Sequence, residues 1–172
     1  MGETLYLGQD DWAGEDEQHE RLSDLRSLIT FELSGELYGV AITRVAEVRE
    51  PLPLMPLPAV YVPPYVLGLI NLRGVVLPVI DLRRRFGLPL REESTDTRLV
   101  ILKGPGYLVA LQIDVLHGLV RLPASAFQPA PPGVARVDPE YYDHVILLEG
   151  QMLVELNVAK MLTDTALQSE GR

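Results

Sequence analysis

Four times along this chain a short apolar run meets a glycine-bearing break, and a second apolar run follows. Phe31 and Leu33 lead into Ser34-Gly35 and on to Tyr38, Val40 and Ile42, while Leu67 to Leu72 is followed by Arg73-Gly74 and Val75 to Ile80. Leu99 to Leu102 precedes Lys103-Gly104-Pro105-Gly106 and Tyr107 to Ile113, and Val145 to Leu148 precedes Glu149-Gly150 and Met152 to Leu156. Alternating apolar residues interrupted by such dipeptides read as β-hairpins, because glycine supplies the positive φ that a tight turn demands. Four hairpins predict an all-β barrel or sandwich, architectures that close or protect their strand edges.

Proline sharpens the boundaries. Pro51, Pro53, Pro56, Pro58, Pro63 and Pro64 form one cluster and Pro129, Pro131 and Pro132 another. A residue without an N–H cannot serve a central strand, so both stretches are predicted to be loops or edges. Only Leu82 to Phe86 and Val158 to Leu162 have short-helix character, the latter with Val158, Met161 and Leu162 on one face. At 172 residues the chain is sized for one compact domain, with room for two small subdomains.

Charge is unevenly spread. Residues 1–27 hold eight acids against Arg21 and Arg26, net −6, out of −9 for the whole chain. This opening predicts an acidic N-terminal tail, or a short amphipathic helix through Leu22, Leu25, Leu28 and Ile29, whose spacing is helical. A surface of this sign repels phosphate backbones and anionic lipid, which argues against nucleic acid and membrane surfaces as partners and favours proteins. There is no cysteine, no signal-peptide pattern and no apolar run long enough to span a bilayer; the expectation is a cytoplasmic protein without direct membrane insertion.

Catalytic chemistry finds little to build on. His19, His117 and His144 are dispersed and read as surface or packed residues. No G-x-S-x-G elbow or phosphate loop occurs, and Lys103 and Lys160 are the only lysines. Among carboxylates, Asp81 directly before Leu82 reads as a helix N-cap. A small β-barrel enzyme using Asp81 or Asp114 is a distant alternative, without a nucleophile or metal cluster to support it. Arg83, Arg84 and Arg85 read as a solvated helix face or a protein contact. No cofactor is expected.

The stretch from Gly68 through Leu69-Ile70-Asn71-Leu72-Arg73-Gly74-Val75-Val76-Leu77-Pro78-Val79-Ile80-Asp81-Leu82 to Arg85-Phe86-Gly87-Leu88 resembles the hallmark of the bacterial chemotaxis coupling proteins, the CheW family. Phe31-x-Leu33, Tyr38-Gly39-Val40, Val45-x-Glu47-Val48, Ile113-Asp114, Gln128-Pro129-Ala130-Pro131, Met152-Leu153-Val154 and Leu156-Asn157 extend the likeness over about residues 29–163. The resemblance implies two small five-stranded SH3-like β-barrel subdomains around a shared apolar core, with short helices. The CheW-like domain is expected over 28–164, followed by a C-terminal tail, 165–172.

The resemblance also implies a non-enzymatic adaptor. Its partners would be the cytoplasmic tips of methyl-accepting chemoreceptors and the regulatory domain of a CheA-type histidine kinase, in chemotaxis or in a non-flagellar pathway such as twitching motility or development. The receptor groove would involve Val45, Glu47, Gly68, Asn71, Arg73 and Gly74. Physical readings run beside these assignments: Gly74 serves a tight turn, Gly68 a close backbone approach, Asn71 a turn tie, and Val45 either a groove or the core. Arg73, at a hairpin tip, has a planar fork suited to a carboxylate or carbonyls on a partner helix. Two residues depart from the family pattern: His144 stands where a glycine is usual, and Glu155 interrupts an apolar run. Glu155 is therefore expected on an exposed edge or paired with an arginine.

Overall fold

The structure, a computed structural model, describes residues 24–58, 60 and 62–163. Its strands are β1 (Leu25–Leu33), β2 (Glu36–Ala41), β3 (Val45–Arg49), β4 (Val66–Leu72), β5 (Val75–Ile80), β6 (Arg98–Lys103), β7 (Leu108–Ile113), β8 (Val115–Pro123), β9 (Gln128–Pro129), β10 (Tyr142–Leu148) and β11 (Gln151–Leu156). Two short helices, α1 (Leu82–Phe86) and α2 (Val158–Thr163), follow β5 and β11. All four predicted hairpins are present as β1/β2, β4/β5, β6/β7 and β10/β11. At three tips both central residues have positive φ, as at Arg73 (50°) and Gly74 (86°), the geometry whose twist matches the flanking strands.

The strands form two sheets, ordered β3-β6-β7-β5-β4 and β8-β1-β2-β11-β10-β9. The first has the five strands expected. The second carries a sixth, the two-residue edge strand β9, which contains Pro129. Both sheets share one plan: a three-stranded antiparallel unit joins a hairpin through one parallel pair, β7 to β5 in one and β2 to β11 in the other. Because β1 and β2 belong with β8 to β11, the chain leaves the six-stranded sheet after Ala41 and returns at Val115.

This interleaving explains the core. Val100, Leu102, Val109 and Leu111 enter a shared cluster with Ile29, Phe31, Tyr38, Val40, Val154 and Leu156. The alternate residues Leu99, Ile101 and Ala110 instead meet Ile70, Leu72, Leu77 and Val79 inside the five-stranded sheet. Strands that bury both faces read as apolar runs, not as polar-apolar alternation.

β1 shows the same effect and corrects one expectation. Leu25, Leu28 and Ile29 are in a strand, not a helix; Leu28 packs with Phe127, Ile146 and Leu153, while Ile29 enters the shared core. Two adjacent buried faces of a strand imitate helical spacing. The strand begins inside the segment 1–27 expected to be a tail, with Leu25 opposite Pro123 and Ser27 opposite Arg121. Leu22, the acids before Asp24 and the tail 165–172 lie outside the described residues.

Candidate functional site

The hairpin tip between β4 and β5 collects most of the residues that the sequence singles out. Gly68 has φ +155°, and a β-carbon there would sit 2.6 Å from the Met55 carbonyl oxygen. Met55 and Leu69 exchange both backbone hydrogen bonds, 2.7 and 2.8 Å, so the proline-rich connection lies along the outer edge of β4 and covers it. Asn71 Oδ1 accepts from the Gly74 amide at 2.8 Å and ties the turn. The three structural readings of Gly68, Asn71 and Gly74 therefore hold.

Arg73 projects from this braced turn. Its guanidinium donates to Glu47 Oε1 on β3 at 2.9 Å, with side-chain exposures of 70% and 28%. β3 and β4 are the end strands of their sheet, so the pair joins two margins that no backbone ladder connects. β3 carries a register shift between Val45 and Glu47. Val45 is half-buried and packs against the shared core. Val75 and Val76 on β5, and Leu54 and Met55 beside Gly68, are exposed apolar side chains of the same hairpin and its covering segment. A held cation beside apolar surface suits docking to a protein.

The carboxylates of the distant enzymatic reading have structural work. Asp81 caps α1 by accepting from the Arg83 amide at 2.9 Å. Arg83, expected on a solvated helix face or in a protein contact, is buried: its Nε and one terminal nitrogen bond both oxygens of Asp81 at 2.9 Å, and the other bonds Asp114 Oδ1 and the Arg91 carbonyl at 2.8 Å. Asp114 Oδ2 accepts from the Ser34 amide at 2.7 Å. The clasp joins α1, the β7–β8 crossover and the β1/β2 turn, and so ties the two sheets; its ion pairs hold the Arg83 pKa above the usual arginine value, chiefly through the hydrogen bonds to Asp81. Arg84 is exposed, and Arg85 is half-buried over the rings of Tyr65, Phe86 and Tyr141.

The two departures from the family pattern meet each other. Glu155 is half-buried and its partner is His144, Nδ1 to Oε1 2.8 Å, not an arginine. Sequence reading paired neither residue because they are joined only by the β10/β11 register.

Fold and surface together define a two-sheet, all-β module whose charged hairpin tip is braced by its own backbone. The chain belongs to the CheW-like domain family, whose model matches residues 27–166. Chemotaxis protein CheW of Bacillus subtilis is 30% identical over 142 residues, 83% of this chain and 90% of that protein. Chemotaxis protein CheW of Treponema pallidum is 31% identical over 97% of this chain and 95% of its own length. The crystal structure of the scaffolding protein TtCheW from Thermoanaerobacter tengcongensis superposes with a TM-score of 0.72 at 30% identity, covering 78% of this chain and 85% of that one. No described helix is long and apolar enough to cross a membrane.

Proposed function

We propose that this protein is a non-enzymatic scaffold that couples methyl-accepting chemoreceptors to a CheA-type histidine kinase, acting in the cytoplasm at membrane-bound receptor arrays. The observation that carries the reading is the exposed Arg73–Glu47 pair at the β4/β5 tip, in a chain whose family match spans residues 27–166. In this reading the cytoplasmic helices of a receptor dock against the tip. Arg73 meets carboxylates or helix C-terminal carbonyls, Glu47 holds the guanidinium in place, and Gly68, Asn71 and Gly74 keep the backbone in its turn. Val45 acts from beneath by anchoring β3 on the core.

Arg73→Glu tests this. An ion pair this exposed contributes under about 1 kcal/mol to folding, so the variant folds. Its affinity for a receptor signalling fragment should fall by about 2 kcal/mol or more, as expected when a docked, desolvated charge is reversed. Binding to the kinase regulatory domain should persist. Normal receptor binding by a folded Arg73→Glu protein would remove the tip from the docking surface.

A further inference from the structure

We propose that Asp143, His144 and Glu155 form a binding site for a divalent first-row transition metal such as zinc, stapling β10 to β11. The site lies on the six-stranded sheet and is independent of the docking function above. In a regular strand, neighbouring side chains point to opposite faces, so Asp143 and His144 would not meet. A register shift between Tyr142 and His144 gives β10 one extra residue opposite β11, and such a bulge re-aims side chains. Here it converges Asp143 and His144 on Glu155, with one ligand atom from each within 4.8 Å of the others.

The distances suit a shared ion. His144 Nδ1 and Glu155 Oε1 are 2.8 Å apart. Two donors bound tetrahedrally to one zinc at about 2.1 Å stand about 3.4 Å apart, so this hydrogen-bonded pair chelates by opening about 0.6 Å. Asp143 is exposed, at the rim of the cluster. Its Oδ1 accepts from Asn157 Nδ2 at 3.2 Å, which orients the carboxylate and leaves Oδ2 for the ion. The edge-on contact between Phe127 and the His144 ring, centroids 5.9 Å apart at 87°, restrains the imidazole plane. Arg26 lies over the Phe127 ring, 5.0 Å from its centroid.

The donor set selects the metal. One imidazole nitrogen with two carboxylates suits zinc, nickel or cobalt, whereas calcium and magnesium take oxygen ligands. Three protein ligands leave further positions to water. His117 with Glu32, 2.9 Å apart, forms the other described histidine–carboxylate pair, and it lacks a third ligand among the described residues.

The test is a zinc chloride titration of the chelator-stripped full chain, by calorimetry and by thermal unfolding. One ion per chain should bind, with a rise in Tm that chelator reverses. Glu155→Gln and Asp143→Asn should each weaken zinc at least about tenfold, and His117→Gln should leave it unchanged. Asp143→Asn changes an exposed group and keeps the Asn157 contact, so it reads out metal binding even if Glu155→Gln unfolds the hairpin. Absent or only weak, multi-site binding overturns the proposal, and so does zinc binding that survives Asp143→Asn or is lost in His117→Gln.

Discussion

Arg83→Met removes the cation of the buried clasp while keeping an apolar stem of similar length. Two carboxylates then remain, Asp81 with 1% and Asp114 with 11% of their side chains exposed, and four guanidinium hydrogen bonds are gone. Arg84, 3.5 Å from Asp81 and 46% exposed, is too wet to neutralise the pair. Stripping one partner from a buried ion pair costs about 3–5 kcal/mol, since the other charges are left uncompensated. For a chain of this size each kcal/mol lowers Tm by about 2–4 °C, so Arg83→Met should melt about 6–20 °C below the parent. Arg84→Met, one residue away on the same helix, should cost under about 1 kcal/mol. Urea unfolding and thermal scans of the two variants side by side measure the contrast. The reasoning fails if Arg83→Met loses no more stability than Arg84→Met. It also fails if adding Asp81→Asn and Asp114→Asn to Arg83→Met recovers nothing, because relief of uncompensated charge is what that triple variant supplies.

Two further outcomes follow from single contacts. Gly68→Ala should destabilise by about 2 kcal/mol, because its β-carbon meets the Met55 carbonyl oxygen at 2.6 Å on a backbone of φ +155°; faster hydrogen exchange at Met55 and Leu69 is the local readout, and unchanged exchange there would refute it. Tyr38 is buried and donates to Glu36 at 2.6 Å, and burial first, then Glu36, raises its pKa well above the usual 10.0. A raised folded pKa means stability fully present below pH 10.0 and lost as the unfolded tyrosine ionises above it. Tyr38→Phe should therefore lose about 1 kcal/mol at neutral pH yet show a shallower alkaline decline in urea titrations, and identical alkaline slopes would contradict this.

Much of the fold is legible locally. Ser34-Gly35, Arg73-Gly74 and Glu149-Gly150 specify hairpin tips because a turn's φ requirement is met or missed by two residues alone. Asp81 is recognisable as a cap for the same reason: its bond to the Arg83 amide spans two residues. β8 escapes such reading. His117, Gly118 and Arg121 break its apolar pattern, and its strand state comes from the ladder to β1, almost ninety residues away along the chain. Of the β4/β5 hairpin tip, the turn and Arg73 were visible in the sequence, but the grip of Glu47 on Arg73 was not, since 26 residues separate them.

What the chain determines by itself is thus whatever closes within a few bonds: turn positions, the two short helices and their ends, and the excess of acid over base. Tertiary structure alone decided which face of each strand enters which core, that Leu25 to Ile29 extend a sheet, and that His144 and Glu155 are partners. It also gave three consecutive arginines three different environments, one buried between Asp81 and Asp114, one in water and one over aromatic rings. The reason is physical: a charge or an apolar group takes its free energy from what surrounds it, and those neighbours come from segments that meet only when the sheets pack.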